Sequence, residues 1–269
     1  VHTPITDNLE AAIAAAEIDI ALVTTTSSAA SLFEQIKPLI FSGIPVITTC
    51  EELLYPWNTQ AELAENIHRT AQQHGCAILG TGVNPGFLMD YLPAISTGLT
   101  QHIESVTINR IQDASIRRRP FQIKIGAGLS LDAFAKKVED GSLKHVGLPE
   151  SVHYLAHVLG LQLDQVVETI QPVLSTPDQQ AAEGVHQQAL GMIGDKRVIE
   201  LNFIASMHHQ APEDRIIIKG EPNFNLSFNP PINGDIATTA VTVNAIPSLL
   251  TAAPGLHTMG SIAPIRHWQ

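Results

Sequence analysis

The sequence is poor in the features that mark several protein classes. It has two cysteines, Cys50 and Cys76, in 269 residues, too few for a disulfide framework, so a reducing compartment fits best. Its formal net charge of −11 argues against a nucleic-acid surface or an anionic membrane as partner. No apolar run approaches the ~18 residues that span a bilayer, and no signal-peptide pattern is seen. We therefore expect a cytoplasmic protein with no nucleic-acid or membrane partner.

The composition is that of a folded globular protein: 44% of the residues are hydrophobic and 15% are charged, so a sizeable core can form. Helical patterns alternate with apolar strands through the first hundred residues. The predicted helices are 7–16, 29–41 and 58–74, and the predicted strands are 18–23, 45–49 and 76–79. This alternation predicts a parallel, doubly wound sheet, in which ligands bind outside the carboxyl ends of the strands.

Three polar or glycine-rich loops follow those strands, at 24–28, 49–52 and 80–86. We expect them to share one edge of the sheet. The third loop holds Gly80, Gly82 and Gly86 and is followed at once by a helical pattern. Glycines let a backbone approach a ligand closely, and a helix start offers free N–H groups to anionic or carbonyl-bearing ligands. The alternative is a tight strand-to-helix turn that binds nothing.

The pattern changes after residue 100. Strands are predicted at 103–111, 121–125, 197–207, 214–219 and 223–228, and helices at 129–139, 150–159, 163–170 and 236–250. We expect an α/β protein in which an incomplete Rossmann-type parallel sheet (1–98) is followed by an α+β substrate and oligomerisation domain (99–233). The last segment (234–269) is expected to pack back on the first domain, because its helix is apolar on more than one side. Association into a homo-oligomer through the second sheet is also expected.

Seven segments then carry a family resemblance. They are VTTTSS at 23–28, TCEEL at 49–53, GTGVNPGF at 80–87, KIGAGLS at 124–130, HVGLPES at 145–151, NGDIAT at 233–238 and VNAIP at 243–247. With this ordered set the chain resembles the amine dehydrogenases typified by 2,4-diaminopentanoate dehydrogenase, which are relatives of dihydrodipicolinate reductase. The resemblance implies an oxidoreductase that uses NAD or NADP and acts at the amine-bearing carbon of a small amino acid-like substrate.

One departure from that family is the lack of its opening strand, G-x-G-x-x-G turn, helix and second strand. The segment that grips the cofactor pyrophosphate is missing with them. In the usual strand order, strand 18–23 would pair with the absent first strand and is otherwise an exposed apolar edge. The sequence also begins at Val1. We therefore treat the chain as an incomplete one whose full-length form is the enzyme.

Three residues are candidates for the catalytic chemistry. Lys124 is predicted at the end of a strand just before Gly126, where its ammonium could meet a substrate carboxylate or exchange a proton. His145 is chosen because histidine titrates near neutrality. Glu51 could pair with the substrate ammonium from the edge of the sheet. The alternatives are a solvent-facing lysine, a loop hydrogen-bonder and a first-turn helix carboxylate, respectively.

Further residues are assigned to binding. The predicted cofactor-binding residues are Thr24, Thr25, Thr26, Ser27, Ser28, Cys50, Gly82, Asn84, Pro85, Gly86 and Phe87. The predicted substrate-binding residues are Asn84, Gly126, Ala127, Gly128 and Arg119. Local explanations compete with each assignment: a helix cap for the hydroxyls, a turn for Asn84, packing for Cys50, and a solvated basic turn for Arg117–Arg118–Arg119.

Three other functions stay open. One is an imine reductase of the dihydrodipicolinate reductase kind, which runs the hydride the other way. A second is a non-catalytic fragment that serves as a binding or interaction module. The third is a metal-dependent lyase or hydrolase built on His153 and His157, whose spacing of four suits metal ligands. No third ligand is apparent for that pair, and no metal is predicted.

Overall fold

The computed structural model describes residues 4–176 and 178–268. In chain order its helices are α1 (Leu9–Ala15), α2 (Ala29–Phe41), α3 (Ala61–Gln73), α4 (Leu92–Ser96), α5 (Arg119–Lys124), α6 (Leu131–Glu139), α7 (Leu148–Leu159), α8 (Gly234–Asn244) and α9 (Ile246–Leu250). Its strands are β1 (Ala21–Val23), β2 (Val46–Thr48), β3 (Ala77–Gly80), β4 (His102–Asp113), β5 (Gln165–Val173), β6 (Gly184–Ile193), β7 (Lys196–Ser206), β8 (Glu213–Glu221), β9 (Phe224–Phe228) and β10 (Gly255–His257). They form two compact units, Val1–Phe87 with Asp235–Gln269, and Leu88–Gly234.

The first unit is built on a four-stranded parallel sheet of order β1-β2-β3-β10. Helix α2 presents Leu32, Ile36 and Ile40 to its core, and all three are fully buried. Their spacing of four puts them on one face of the helix. Strand β1 lies at the edge of this sheet, and its Leu22 is 44% exposed, as the strand order predicted.

The second unit is built on a six-stranded sheet of order β5-β6-β7-β4-β8-β9. Strands β4 and β7 run parallel, and the other neighbours run antiparallel. One face of the central strands is buried and the other is half-buried. The register aligns Gln187, Phe203, Arg110 and Asp214 in one row on the buried face. Polar side chains in such a row must find partners, so this row locates the polar centre of the unit.

Two predicted elements of the second unit are wrong. Residues 121–125, predicted as a strand, lie in helix α5 and the residue after it, because Pro120 starts a helix there. Residues 163–170, predicted as a helix, are mostly in strand β5. Its β-branched residues favour a strand, and Pro172 is tolerated because β5 lies at the sheet edge.

Other elements were missed or fused. Strand β6 was not predicted at all, because its polar glutamines conceal the alternation. The predicted helix 236–250 is two helices, α8 and α9, with Pro247 in the first turn of the second. Proline interrupts the backbone ladder of a longer helix. Across the described ranges, no helix has the length and apolarity needed to cross a membrane.

Candidate functional site

The carboxyl ends of β1, β2 and β3 lie at one edge of the first sheet, because Val23, Thr48 and Gly80 are in register. Backbone bonds extend this alignment into the loops: Thr49 N–H donates to the Val23 carbonyl at 3.4 Å, and Thr81 N–H to the Thr48 carbonyl at 2.9 Å. The three predicted ligand loops therefore share that edge, which is where parallel sheets bind ligands.

Two glycines of the third loop, Gly82 and Gly86, are explained by the loop's own packing. Gly86 has a φ of 134°, and a Cβ there would lie 2.3 Å from the Gly82 carbonyl oxygen. A Cβ on Gly82 would lie 2.9 Å from the Pro85 carbonyl oxygen. The loop is closed further by Phe87 N–H, which donates to the Gly82 carbonyl at 2.9 Å. Any side chain at these positions would open the turn, whether or not a ligand binds.

The side-chain amide of Asn84, in this loop, makes no hydrogen bond to the described part of the chain. Both Nδ2 and Oδ1 of its amide are buried, and neither has a hydrogen-bond partner among the described residues. A buried amide without partners costs free energy that a hydrogen bond would recover. In this amide Oδ1 accepts hydrogen bonds and Nδ2 donates them. It therefore matches a ligand that offers both a donor and an acceptor, such as a carboxamide, or a carboxylate together with an amine.

The first two loops use several of their polar groups locally. Ser28 caps α2 through the Ser31 N–H, at 3.4 Å. Glu52 Oε2 accepts from the Ala29 N–H of α2 and from Gln60 Nε2, at 2.9 Å each. This carboxylate already occupies the positive end of the helix. Glu51, which begins the short 3-10 helix Glu51–Leu53, lies half-buried at the same edge.

Cys50 is 1% exposed at this edge. Burial, reinforced by the charges of Glu51 and Glu52, raises the pKa of its thiol to about 12 against the lowering effect of two backbone N–H groups. Nucleophilic cysteines need a lowered pKa, since the thiolate is the reactive form. The thiol of Cys50 therefore packs rather than reacts.

We expect the folded protein to resist thiol alkylation. At pH 9 a thiol of pKa about 12 is ionised in roughly one molecule in a thousand, and burial raises the pKa of Cys76 as well. Iodoacetamide followed by mass spectrometry should label neither cysteine over minutes in the native state and both in urea. Rapid labelling of Cys50 in folded protein would contradict this reading.

In the second unit two arginine side chains lie close together, one of them in the buried row. Arg110 is 3% exposed and donates from Nη1 to Asp214 Oδ1 at 2.7 Å. Arg117 donates from Nη1 to Gln112 Oε1 at 2.6 Å and lies over the Phe121 ring, 4.3 Å from its centroid. Both guanidinium groups border Gly234, where a Cβ would meet their nitrogens at 3.1 to 3.2 Å. Two fixed guanidinium groups thus converge on one point of the backbone.

His145 lies beside the same cluster. Its ring is tilted against Phe203 with centroids 4.3 Å apart, and its Nδ1 is buried with no partner among the described residues. Burial, followed by the positive charges of Lys124, Arg110 and Arg117, lowers the pKa of this imidazole to about 3. The reason for choosing His145 from the sequence, titration near neutrality, therefore does not hold. The ring is neutral at physiological pH.

The low pKa of His145 makes folding pH-dependent. Between about pH 6.5 and 3 the imidazole of His145 is protonated in the unfolded chain but not in the folded protein. The contribution of His145 to the free energy of unfolding is therefore fully present above about pH 6.5 and falls as the pH drops. The loss approaches about 1.4 kcal/mol per pH unit in that window. Urea unfolding from pH 7 to 5 should show a shallower dependence in His145→Gln than in wild type. His157→Gln, at an exposed position, is the control, and equal slopes would contradict the assignment.

The other predicted residues of this unit differ in exposure and in the contacts they make. Lys124 is exposed at the end of α5, near enough to His145 to lower its pKa. Gly126 packs against Phe134 and Leu143, and Gly128 N–H donates to the Ala182 carbonyl at 2.8 Å. Ala127 is half-buried between these two glycines.

In the basic triplet Arg117–Arg118–Arg119, it is Arg117 that lies next to Arg110. Arg119, the predicted substrate residue, is exposed in the first turn of α5, whereas Arg117 is half-buried and joins Arg110. Sequence reasoning missed Arg110, although a signal was present. In the alternating strand 103–111 it stands on the same side as Val106 and Ile108, and an arginine on an apolar face needs a buried partner.

The histidine pair His153 and His157 gains no third ligand. His153 is half-buried and burial lowers its pKa, while His157 is exposed. In the ranges that the structure describes, no group of three or more His, Cys, Asp or Glu side chains is arranged to hold a metal ion.

Comparison with known proteins agrees with this architecture. The chain is 31% identical over 256 residues to the 2,4-diaminopentanoate dehydrogenase of Acetoanaerobium sticklandii, covering 90% of this chain and 72% of that protein. It is 22% identical over 248 residues to an amine dehydrogenase of Streptomyces virginiae, covering 80% and 69%.

Solved structures match in fold. An amine dehydrogenase from Mycobacterium smegmatis superposes with a TM-score of 0.80 at 20% identity, over 93% of this chain and 77% of that one. GenD2 of gentamicin A biosynthesis, solved with NAD, gives 0.52 at 14% identity, over 96% and 76%. These matches confirm the predicted α/β fold with its second, mixed-sheet domain.

A family profile described as the 2,4-diaminopentanoate dehydrogenase C-terminal domain matches residues 87–268, which is more than half of the chain. The profile and the 31% identity confirm the resemblance that the seven sequence segments indicated. The protein belongs to the 2,4-diaminopentanoate dehydrogenase family of oxidoreductases.

Proposed function

We propose that this protein is an NAD- or NADP-dependent amine dehydrogenase acting on a short amino acid that carries an amine away from its carboxylate, such as 2,4-diaminopentanoate. The amine-bearing carbon gives up a hydride to the oxidised cofactor, and the amine nitrogen gives up a proton. The products are an imine, the reduced cofactor and H⁺. Water then converts the imine to a ketone and ammonia.

The observation that carries the substrate class is the pair of guanidinium groups, Arg110 and Arg117, that converge beside Gly234; their charges and that of Lys124 act on the ring of His145. The protein is acidic overall, with a net charge of −11, so a local concentration of cations needs a reason. A substrate carboxylate supplies one, because guanidinium groups bind carboxylates through paired, charge-assisted hydrogen bonds. Arg110 is almost fully buried, whereas Arg117 is half-buried and so more open to a ligand, and Arg117 is the guanidinium we assign to the substrate.

The edge loops of the first unit are the proposed cofactor-binding residues. The orphaned amide of Asn84 fits a nicotinamide carboxamide, which offers both an acceptor and a donor. Residues 24–28 and 80–87 would surround the same end of the cofactor from the carboxyl ends of β1 and β3. When bound, the cofactor accepts the hydride, and the protein contributes orientation rather than covalent chemistry.

The amine must be deprotonated before hydride can leave, and the low pKa of His145 makes it a poor base at neutral pH. We assign this task to Glu51, which lies half-buried at the carboxyl end of β2 on the same edge as Asn84. His145 is assigned to substrate binding, and Lys124 to the positive field that attracts the carboxylate.

The test is an activity assay of the purified protein, produced with any residues that its natural form carries before Val1. With 2,4-diaminopentanoate and either oxidised cofactor we expect reduced cofactor and ammonia in equal amounts, and poor turnover of 2-aminopentane, which has no carboxylate. Formation of neither product with any amine would refute the proposal. If the protein reduced a cyclic imine but oxidised no amine, the imine reductase alternative would replace it.

A further inference from the structure

The buried row of the second sheet contains a glutamine whose side chain is bonded to a loop as well as to the neighbouring strand β5. Gln187 of β6 is fully buried. Its Oε1 accepts from the backbone N–H of His145 at 2.6 Å, and its Nε2 donates to the backbone carbonyl of His145 at 2.8 Å. Nε2 also donates to Glu168 Oε1 at 2.8 Å. One side chain therefore satisfies both main-chain groups of His145.

This pairing fixes the loop between α6 and α7 at one residue. A primary amide that binds the N–H and C=O of the same residue acts as a strand partner would, and it restrains both position and rotation of the peptide. Glu168 holds the amide in turn, which sets which end is the donor. The loop would otherwise depend on turns at its start, such as Ser142 N–H bonded to Asp140 Oδ1 at 2.9 Å.

The same pairing sets the direction of the His145 ring. Phe203 is the register neighbour of Gln187 on β7, and it contacts the imidazole. Beyond Phe203 in that row lies Arg110. The ring is thus held against the sheet at Phe203, with Nδ1 buried and unpartnered among the described residues. A small loop shift would change its distance to Arg110 and Lys124.

We propose that Gln187 is a positioning residue for amine oxidation: it holds the His145 backbone so that the imidazole is preset beside the carboxylate-binding cations. The proposal rests on the proposed function, since it assigns Gln187 to the binding of the same substrate. Gln187 acts through His145 and does not contact the substrate. Misplacement of a binding group by about 1 Å can cost on the order of a hundredfold in rate.

The test compares Gln187→Met with wild type, using 2,4-diaminopentanoate as substrate. Methionine keeps the length and burial of glutamine but makes none of the three bonds. We expect KM for the amine to rise about 10- to 100-fold, with kcat changed less than about threefold and cofactor affinity unchanged. Gln188→Met is the matched control. Gln188 is the next residue of β6 on the opposite face, bonded to Glu200 and Asn202 at 3.1 and 2.8 Å, and its loss should leave KM within about twofold.

Two further variants separate positioning from general loosening. A protonated glutamate at 187 offers both a donor and an acceptor, so the KM of Gln187→Glu should approach the wild-type KM as the pH falls. For Gln187→Met, the ratio of its KM to the wild-type KM should not change with pH, because methionine has no group that gains a proton. In the double mutant His145→Ala with Gln187→Met, the second change should add little, because the group being positioned is gone.

The outcomes are distinct. A normal KM in Gln187→Met, or full additivity in the double mutant, would overturn the positioning role while the proposed function stands. Equal losses in Gln187→Met and Gln188→Met would also overturn it, since the effect would then be that of any polar deletion in β6. A wild-type protein that oxidises no amine would overturn the proposed function and this proposal with it.

Discussion

Replacing Arg117 with methionine should lower kcat/KM for 2,4-diaminopentanoate about 30-fold or more. Loss of one partner of a desolvated, charge-assisted pair costs about 2 to 5 kcal/mol. Arg117 is suited to this role because Gln112 and Phe121 hold its guanidinium group in place before any substrate arrives, so little side-chain entropy is lost on binding. Oxidation of 2-aminopentane, which has no carboxylate, should change less than about threefold, since it lacks the group that Arg117 binds.

Two variants sharpen this experiment. Arg119→Met removes a positive charge two residues away, at an exposed position. It should leave kcat/KM for both substrates within about twofold of the wild-type values. Arg117→Lys keeps the charge but loses the forked donor, so it should be intermediate. The measurement is steady-state kinetics on both amines. An equal loss on the two substrates would show that Arg117 supports the fold rather than the carboxylate.

The sequence predicted that the basic triplet could hold a carboxylate and assigned that role to Arg119, whereas we propose Arg117. The choice depends on the direction of each side chain where β4 ends, and that direction is set by the 3-10 turn Ala114–Ile116 and by Pro120 at the start of α5. Such short turns have no periodicity, so their geometry is not visible in the sequence. The parallel half was predictable because apolar strands and capped helices alternate there at regular intervals.

The pairing of distant residues was also beyond the sequence. His145 and Gln187 are 42 positions apart, and the link depends on β6, which the sequence did not reveal. Its buried Gln187 alternates with the half-buried Gln188, so composition alone gives no apolar face to detect. The fold was accessible where side chains follow a burial pattern, and the site was hidden where polar groups are buried in satisfied pairs.

The buried pair of Arg110 and Asp214 is expected to have the largest effect on stability. Both side chains are 3% exposed, and Asp214 Oδ2 also accepts from the Ile232 N–H at 2.7 Å. Arg110→Met leaves the carboxylate buried without its cation, and removal of one partner of such a pair costs about 3 to 5 kcal/mol. Arg110→Met with Asp214→Leu removes both charges and should recover part of that loss, because the desolvated charges then disappear together.

The measurement must report on the second unit. Both tryptophans, Trp57 and Trp268, belong to the first unit, so urea unfolding is better followed by hydrogen exchange of amides in β4, β7 and β8. Arg215→Met is the matched control on β8: its side chain is 45% exposed and lies 3.6 Å from Glu213, and exposed pairs contribute about 0 to 1 kcal/mol. If Arg110→Met cost no more than this control, the charged row would not be holding the sheet. Arg110 would then be a residue kept for the substrate alone, and the loss in Arg110→Met should appear in KM.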